Sequence, residues 1–201
     1  MMPKVKICGL TTTADIQAAN AARPDYIGFV FTASRRMVDA AQAEALRRGL
    51  SPGIIPVGVF VNAPPAQILS LLAAGVIDIA QLHGQEDEAY IASLKAKTDA
   101  TIIKAIPVQQ LGDVQQWQQS AADYLLLDHK TGGTGHSFDW DMIGETTKPF
   151  FLAGGLRPEN VQAAIRKTAP HAVDVSSGVE TGGVKDFGKM QDFVEKARCA
   201  K

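Results

Sequence analysis

A chain of 201 residues with ordinary apolar content is long enough for one large globular domain or two small ones. Its 20 basic and 21 acidic side chains leave a formal net charge of −1, which gives no electrostatic footprint for nucleic acid or an acidic membrane surface. No apolar run approaches the roughly 20 residues of a membrane span. Met1-Met2-Pro3-Lys4 leads into a short apolar run without a secretory core or cleavage site, and Cys8 and Cys199 lie near opposite ends of the chain. Those features point to a reduced, cytoplasmic protein, with Cys199 incidental.

Val5-Lys6-Ile7-Cys8-Gly9 reads as a first strand, and the threonines after Leu10 supply N-cap chemistry for a helix that Pro24 closes off. Tyr26–Phe31 is a second strand, and Thr32-Ala33-Ser34-Arg35-Arg36 leads to a helix near Asp39–Arg48. Ile55–Val61 is a third strand, ending at Asn62 ahead of a helix opened by Pro64-Pro65. Ile77–Gly84 is a fourth, with a helix through Tyr90, Ile91 and Leu94. Thr101–Val108 is a fifth, followed by a polar helix containing Trp117.

Tyr124-Leu125-Leu126-Leu127-Asp128 is the sixth strand. Its apolar run lacks period-2 alternation, as expected for a strand buried on both faces, and it ends abruptly in an acid. The loop beyond carries Gly132, Gly133 and Gly135, and a short helix follows Asp139-Trp140. Pro149–Gly155 is the seventh strand with Pro158–Thr168 as its helix, and His171–Gly178 is the eighth with Asp186–Arg198 closing the chain. Eight strand–helix units without linker or composition shift predict a parallel sheet with helices outside. A doubly wound sheet should show Gly-x-Gly-x-x-Gly after its first strand, and Cys8-Gly9-Leu10-Thr11 does not. The expected fold is therefore α/β, a TIM (β/α)8 barrel forming one catalytic domain over residues 1–201.

Active sites of such barrels sit at the C-terminal strand ends. Cys8, Arg35-Arg36, Asn62, His83, Asp128, Gly154-Gly155 and Ser176-Ser177-Gly178 gather there. The glycines and hydroxyls after strands seven and eight stand where these barrels hold phosphate, although glycines also simply terminate strands. Cys8 is a base or nucleophile at the rim, or a small core hydrophobe. Lys6 shares its parity and should point inward, with Asp174 on the neighbouring eighth strand as counter-charge; Asp174 could instead bond a substrate hydroxyl. No pair among Cys8, His83, Asp128, His129 and His136 has zinc spacing, so no metal is expected; His83 reads as a hydrogen-bonding group. The three glycines after Asp128 read as hinge or lid residues once strands seven and eight supply the phosphate site.

Several stretches together resemble the phosphoribosylanthranilate isomerase family. They are Val5–Thr11, Gly28–Phe31 with Ser34-Arg35-Arg36, Val57–Asn62, Gln81–Gly84, Leu127-Asp128, Phe138-Asp139-Trp140, Ala153–Leu156 and Val173–Glu180. They run in order through essentially the whole chain. The resemblance implies a small-molecule enzyme of tryptophan biosynthesis. It would catalyse the Amadori rearrangement of N-(5-phosphoribosyl)anthranilate to 1-(2-carboxyphenylamino)-1-deoxyribulose 5-phosphate. It further implies Asp128 as the acid that opens the furanose ring, Cys8 as the base at C2, and Arg36 on the anthranilate carboxylate with Arg35 as fallback. The phosphate would lie on Gly154-Gly155 and Ser177-Gly178. His83 and Asp174 are further pocket candidates, no cofactor is implied, and the chain would be a monomer or homodimer. A different phosphosugar barrel would want a lysine acid with glutamates, or a histidine–aspartate metal set. A non-catalytic phosphometabolite-binding barrel would have no reason to hold Cys8 and Asp128.

Overall fold

The computed structural model describes residues 2–129 and 139–200. Eight parallel strands close into a barrel in sequence order: β1 (Lys4–Cys8), β2 (Tyr26–Val30), β3 (Ile55–Phe60), β4 (Ile79–Leu82), β5 (Thr101–Val108), β6 (Tyr124–His129), β7 (Phe150–Leu152) and β8 (Ala172–Val175). β8 pairs with β1, with Lys6 opposite Asp174, so the closure joins the two ends of the chain. Among the described residues six helices, α1 (Thr13–Ala22), α2 (Ala40–Arg48), α3 (Pro65–Ala73), α4 (Glu88–Lys95), α5 (Val161–Thr168) and α6 (Phe187–Arg198), belong to the strand–helix units. Among the described residues no helix is long and apolar enough to cross a membrane.

Strand parity separates two cores. Tyr26, Val57, Ile79, Ile103, Ala105, Leu126, Phe151, Ala153 and Ala172 fill the barrel interior. Their neighbours Val5, Ile7, Ile27, Phe60, Leu82, Leu125 and Val173 face the helices. That alternation makes every strand apolar on both sides and explains the unbroken runs in the sequence. It also sends Lys6, Cys8, Gln81, Asp128 and Asp174 inward at the C-terminal end, since each shares the parity of an interior residue.

The helices start where the chain supplies caps. Thr12 and Asp15 form a reciprocal capping box at α1, and Asp39, Asp87 and Asp186 each accept a main-chain N–H at the starts of α2, α4 and α6. The polar helix expected after β5 is only a 3-10 turn, Gln115–Trp117. One buried apolar residue there, Val114, anchors a turn but not an apolar stripe. Another 3-10 turn, Trp140–Ile143, follows β6 and ends at Gly144 with φ of 65°.

β7 and β8 are shorter than the sequence suggests. Gly154 and Gly155 adopt φ of 78° and 65°, leaving the extended conformation at the strand end. Beyond a 3-10 turn at Ser177–Val179 lies an unforeseen hairpin, β9 (Glu180–Thr181) and β10 (Val184–Lys185). Gly182 and Gly183 make its two-residue turn with φ of 60° and 84°, as a type I′ geometry requires. The loop glycines Gly132, Gly133 and Gly135, with His136 and Phe138, lie outside the described residues.

Candidate active site

Cys8 ends β1 with its side chain in the barrel mouth. It stands opposite Gly28 of β2, and a Cβ at Gly28 would lie 2.5 Å from the sulfur. Glycine at that position is what gives the thiol its space. Gly9 then turns the chain with φ of 82° and donates its N–H to the Gly28 carbonyl at 2.8 Å. Below the thiol, the fully buried Lys6 Nζ donates to Asp174 Oδ1 at 3.0 Å. Burial alone would lower the Lys6 pKa, but the charges of Asp174 and Cys8 outweigh it and hold the ammonium above its usual value. Burial pushes the Cys8 thiol up and Asp174 adds to that, while Lys6 and Lys185 pull the other way.

Asp128 comes from β6, almost across the barrel in strand order, and is buried. Its Oδ1 accepts the His129 N–H at 2.7 Å, and its Oδ2 lies 3.4 Å from His83 Nε2. His83 Nδ1 is in turn 2.8 Å from the Gln81 side-chain amide nitrogen. Cys8, Arg36, Gln81, His83, Asp128, His129 and Asp174 line one cavity of about 570 Å³.

Arg36 enters this cavity from the loop after β2, whereas Arg35 is largely exposed. The carboxylate of Glu180 holds both: Arg36 Nε and Nη2 donate to it at 2.8 and 3.0 Å, and Arg35 Nη2 also reaches it. Lys185 adds a third cation at 2.8 Å and donates to the Ser176 carbonyl at 2.9 Å. Burial would raise the Glu180 carboxyl, yet Arg36 and Lys185 hold it down to about 2. Burial lowers Lys185 against the opposing pull of Glu180. Glu180 engages Arg36 through Nε and Nη2, and among the described residues no hydrogen bond is made by Nη1.

Gly154, Gly155, Ser177 and Gly178 line an adjoining, smaller cleft that shares Asp128, Asp174 and Ser176 with the main cavity. Among the described residues no backbone carbonyl takes the Gly154 or Gly155 N–H. A Cβ at Gly178 would sit 1.9 Å from the Leu156 carbonyl oxygen, so only glycine lets the two loops approach this closely. Ser176 is spent on the scaffold, its hydroxyl donating to the Cys8 carbonyl at 3.0 Å. Asn62 likewise serves the wall: its side-chain oxygen accepts the Gln85 N–H at 2.8 Å.

Sequence reasoning missed four charged residues around the mouth. Glu180 and Lys185 ride on the unforeseen hairpin, for which the Gly-Gly pair was the available signal. Glu86 and Lys104 form a buried pair at 2.9 Å beneath the loop after β4, where Glu86 also accepts the N–H groups of Asn62 and Gly84. Burial would raise the Glu86 carboxyl, but Lys104 wins and holds it below its usual value. The signal for this pair was Lys104 itself, a lone cation within an apolar strand. Among the described residues no cluster of three or more His, Cys, Asp or Glu is arranged to hold a metal ion.

Titratable groups drawn to the C-terminal mouth of a closed parallel barrel place the chain among the (β/α)8 barrel enzymes. Comparison with known proteins is more specific. A family model described as N-(5'phosphoribosyl)anthranilate (PRA) isomerase matches residues 5–196. An N-(5'-phosphoribosyl)anthranilate isomerase of Endomicrobium trichonymphae is 44% identical over 201 residues, covering 98% of this chain and 99% of its own. The crystal structure of phosphoribosyl anthranilate isomerase from Thermotoga maritima superposes with a TM-score of 0.88 at 35% identity, covering 98% of each chain. A phosphoribosyl anthranilate isomerase solved in complex with reduced 1-(o-carboxyphenylamino)-1-deoxyribulose 5-phosphate superposes at 0.83, with 33% identity over 98% of each chain. The chain belongs to the phosphoribosylanthranilate isomerase family, the aldose–ketose isomerases of tryptophan biosynthesis.

Proposed function

We propose that this chain carries out the Amadori rearrangement of N-(5-phosphoribosyl)anthranilate with Asp128 as general acid and Cys8 as general base. The supporting observation is the continuity of the two cavities. Cys8, Arg36 and Asp128 line the larger, and Asp128 and Asp174 also line the cleft of Gly154, Gly155, Ser177 and Gly178. A substrate with its phosphate on those backbone N–H groups and its carboxylate on the free end of Arg36 spans both spaces. Its ribose then lies between the thiol and the carboxyl.

Asp128 protonates the furanose ring oxygen, the C1–O bond breaks, and the anilino nitrogen becomes an iminium. Cys8 takes the C2 proton, and the electron pair of that C–H bond neutralises the iminium to give the enolamine, which tautomerises to the ketone. The raised thiol is suited to this order of events. Burial disfavours the Cys8 thiolate in the empty site, and the iminium cation joins Lys6 and Lys185 in favouring it when it is needed. The substrate is its own electron sink, so the reading assigns no role to a cofactor or metal. Asp174, held by Lys6 through Oδ1 alone, has Oδ2 left for a ribose hydroxyl.

This reading takes residues 1–201 as one catalytic domain acting in the cytoplasm, as a monomer or homodimer. Cys8→Ser and Asp128→Asn should each lower kcat by about 10²–10⁴-fold, with phosphate affinity and unfolding midpoint near wild type. Loss of phosphoribosylanthranilate fluorescence measures the turnover. Wild-type turnover in either variant sinks the acid–base assignment.

A further inference from the structure

We propose that the Gln81 side-chain amide sets whether Asp128 is held as an acid or as a carboxylate, acting through the tautomer of His83. The inference rests on the reading of Asp128 as the general acid. It starts from an unused atom: Gln81 is 1% exposed, and its Oε1 has no hydrogen-bond partner among the described residues.

The amide nitrogen of Gln81 can only donate, so at 2.8 Å it requires a lone pair on His83 Nδ1. A neutral imidazole then carries its proton on Nε2, which faces Asp128 Oδ2 at 3.4 Å. The other oxygen, Oδ1, already accepts the His129 main-chain N–H. Asp128 thus accepts one hydrogen bond at Oδ1 and has the His83 Nε2 proton within ion-pair range of Oδ2, an arrangement in which neither oxygen needs a proton of its own.

To open the sugar ring Asp128 must hold a proton. A main-chain N–H cannot accept, so the proton belongs on Oδ2, and His83 must then present a lone pair at Nε2. The neutral imidazole now bears its hydrogen on Nδ1 and needs an acceptor where the amide nitrogen stands. A half-turn about the last torsion of Gln81, a broad two-fold rotor, puts Oε1 there. The atom without a partner in one state is the acceptor required by the other, and one end of the amide is idle in both. The balance is one proton: solvent protonates Nδ1, which Oε1 receives, and the Nε2 proton passes to Oδ2. A neutral imidazole and a neutral acid result.

Among the described residues the other titratable or charged groups lining this cavity are Cys8 of β1, Arg36 after β2, His129 of β6 and Asp174 of β8. β3 and β5 present only Val59, Val61, Asn62, Ala105, Ile106 and Pro107, and β7 brings Ala153 and Gly154 to the adjoining cleft. All are common to the wild type and its Gln81 variants, so differences between these report the amide.

The test combines two readouts on the full chain. In protein labelled with ¹⁵N-histidine, imidazole nitrogen shifts identify the tautomer of His83, and kcat and KM are followed against pH. In Gln81→Glu the carboxylate only accepts, so His83 should keep its Nδ1 proton, and the high-pH fall in kcat/KM should move upward. In Gln81→Met no acceptor remains. That fall should move downward and kcat should drop roughly 10–100-fold, less than removal of the acid itself, with KM within about twofold. If Gln81→Glu does not fold, Gln81→Met alone decides by its pH profile and its split between kcat and KM. An unchanged His83 tautomer in folded Gln81→Glu overturns the proposal, and where only Gln81→Met folds, an unmoved pH profile with wild-type kcat does. A changed tautomer with an unmoved pH profile upholds the amide control of His83 and removes Asp128 from the acid role.

Discussion

Gly28 offers a steric test of the base. Alanine there would place a Cβ 2.5 Å from Cys8 Sγ, 3.1 Å from Cys8 Cα and 3.2 Å from Cys8 Cβ. Ordinary contacts of this kind need about 3.5–4.0 Å, so the sulfur must retreat by about 1 Å, and the neighbouring strand leaves it little choice of direction. A displacement of that size at a reacting atom costs about 10²-fold in rate. Overpacking itself should cost about 1–3 kcal/mol in stability. Gly58 of β3 is the control, because its added Cβ would meet Ile77 Cδ1 at 2.6 Å and Phe60 Cε2 at 2.8 Å on the face turned to the helices. Gly58→Ala should therefore lose stability of the same order and keep its kcat. Urea unfolding measures the first quantity, and initial rates on phosphoribosylanthranilate the second. If Gly28→Ala turns over like the wild type, the position of the sulfur is irrelevant to the reaction and Cys8 is not the base.

With Arg36 as the proposed partner of the substrate carboxylate, Arg36→Ala should raise KM by roughly 10–150-fold, for the loss of a charge-assisted contact of about 1.5–3 kcal/mol. An unmoved KM would transfer the carboxylate elsewhere. Glu86→Ala leaves Lys104 as a buried cation and should cost about 3–5 kcal/mol. Urea midpoints would show this, and replacing Lys104 with Met in the same chain should recover part of the loss. Glu180 is displaced from 4.5 to about 2, so its depressed value stabilises the fold fully above the unfolded pKa and is lost as pH falls through the folded one. The contribution at neutral pH is on the order of 3 kcal/mol. Unfolding midpoints between pH 2 and 6 should show an acid-dependent fall that Glu180→Gln flattens; an equally steep fall in that variant would place the titration in another carboxylate.

The barrel was legible because its strands are buried on both faces, and such strands leave runs like Tyr124–Leu127 that few other structures explain. Side-chain parity along β1 and β8 was enough to pair Lys6 with Asp174, since both strands and their adjacency could be inferred. The helix expected around Trp117 failed for a local reason: glutamines favour a helix by propensity, but without an apolar stripe the segment settles for one turn. The Arg36–Glu180 contact was illegible for a different reason. It joins residues 144 apart through a hairpin only two pairs long, and nothing along either segment names its partner. Gln81 reads in sequence as one polar residue in a buried strand. Its importance appears only when its register places it behind His83.

The Lys6–Asp174 contact bridges 168 residues and lies where the last barrel strand meets the first. During synthesis β1 emerges with an ammonium committed to an interior that does not yet exist, and its counter-charge is among the last residues to be made. An incomplete barrel therefore carries an unneutralised cation at its open edge, which disfavours docking of β1 before β8 arrives. Cys8, the proposed base, lies on the same strand and takes up its position in the same closing event. Chains stalled short of β8 would lack the counter-charge that Lys6 meets beneath Cys8, so closing the barrel and completing the proposed site are one event.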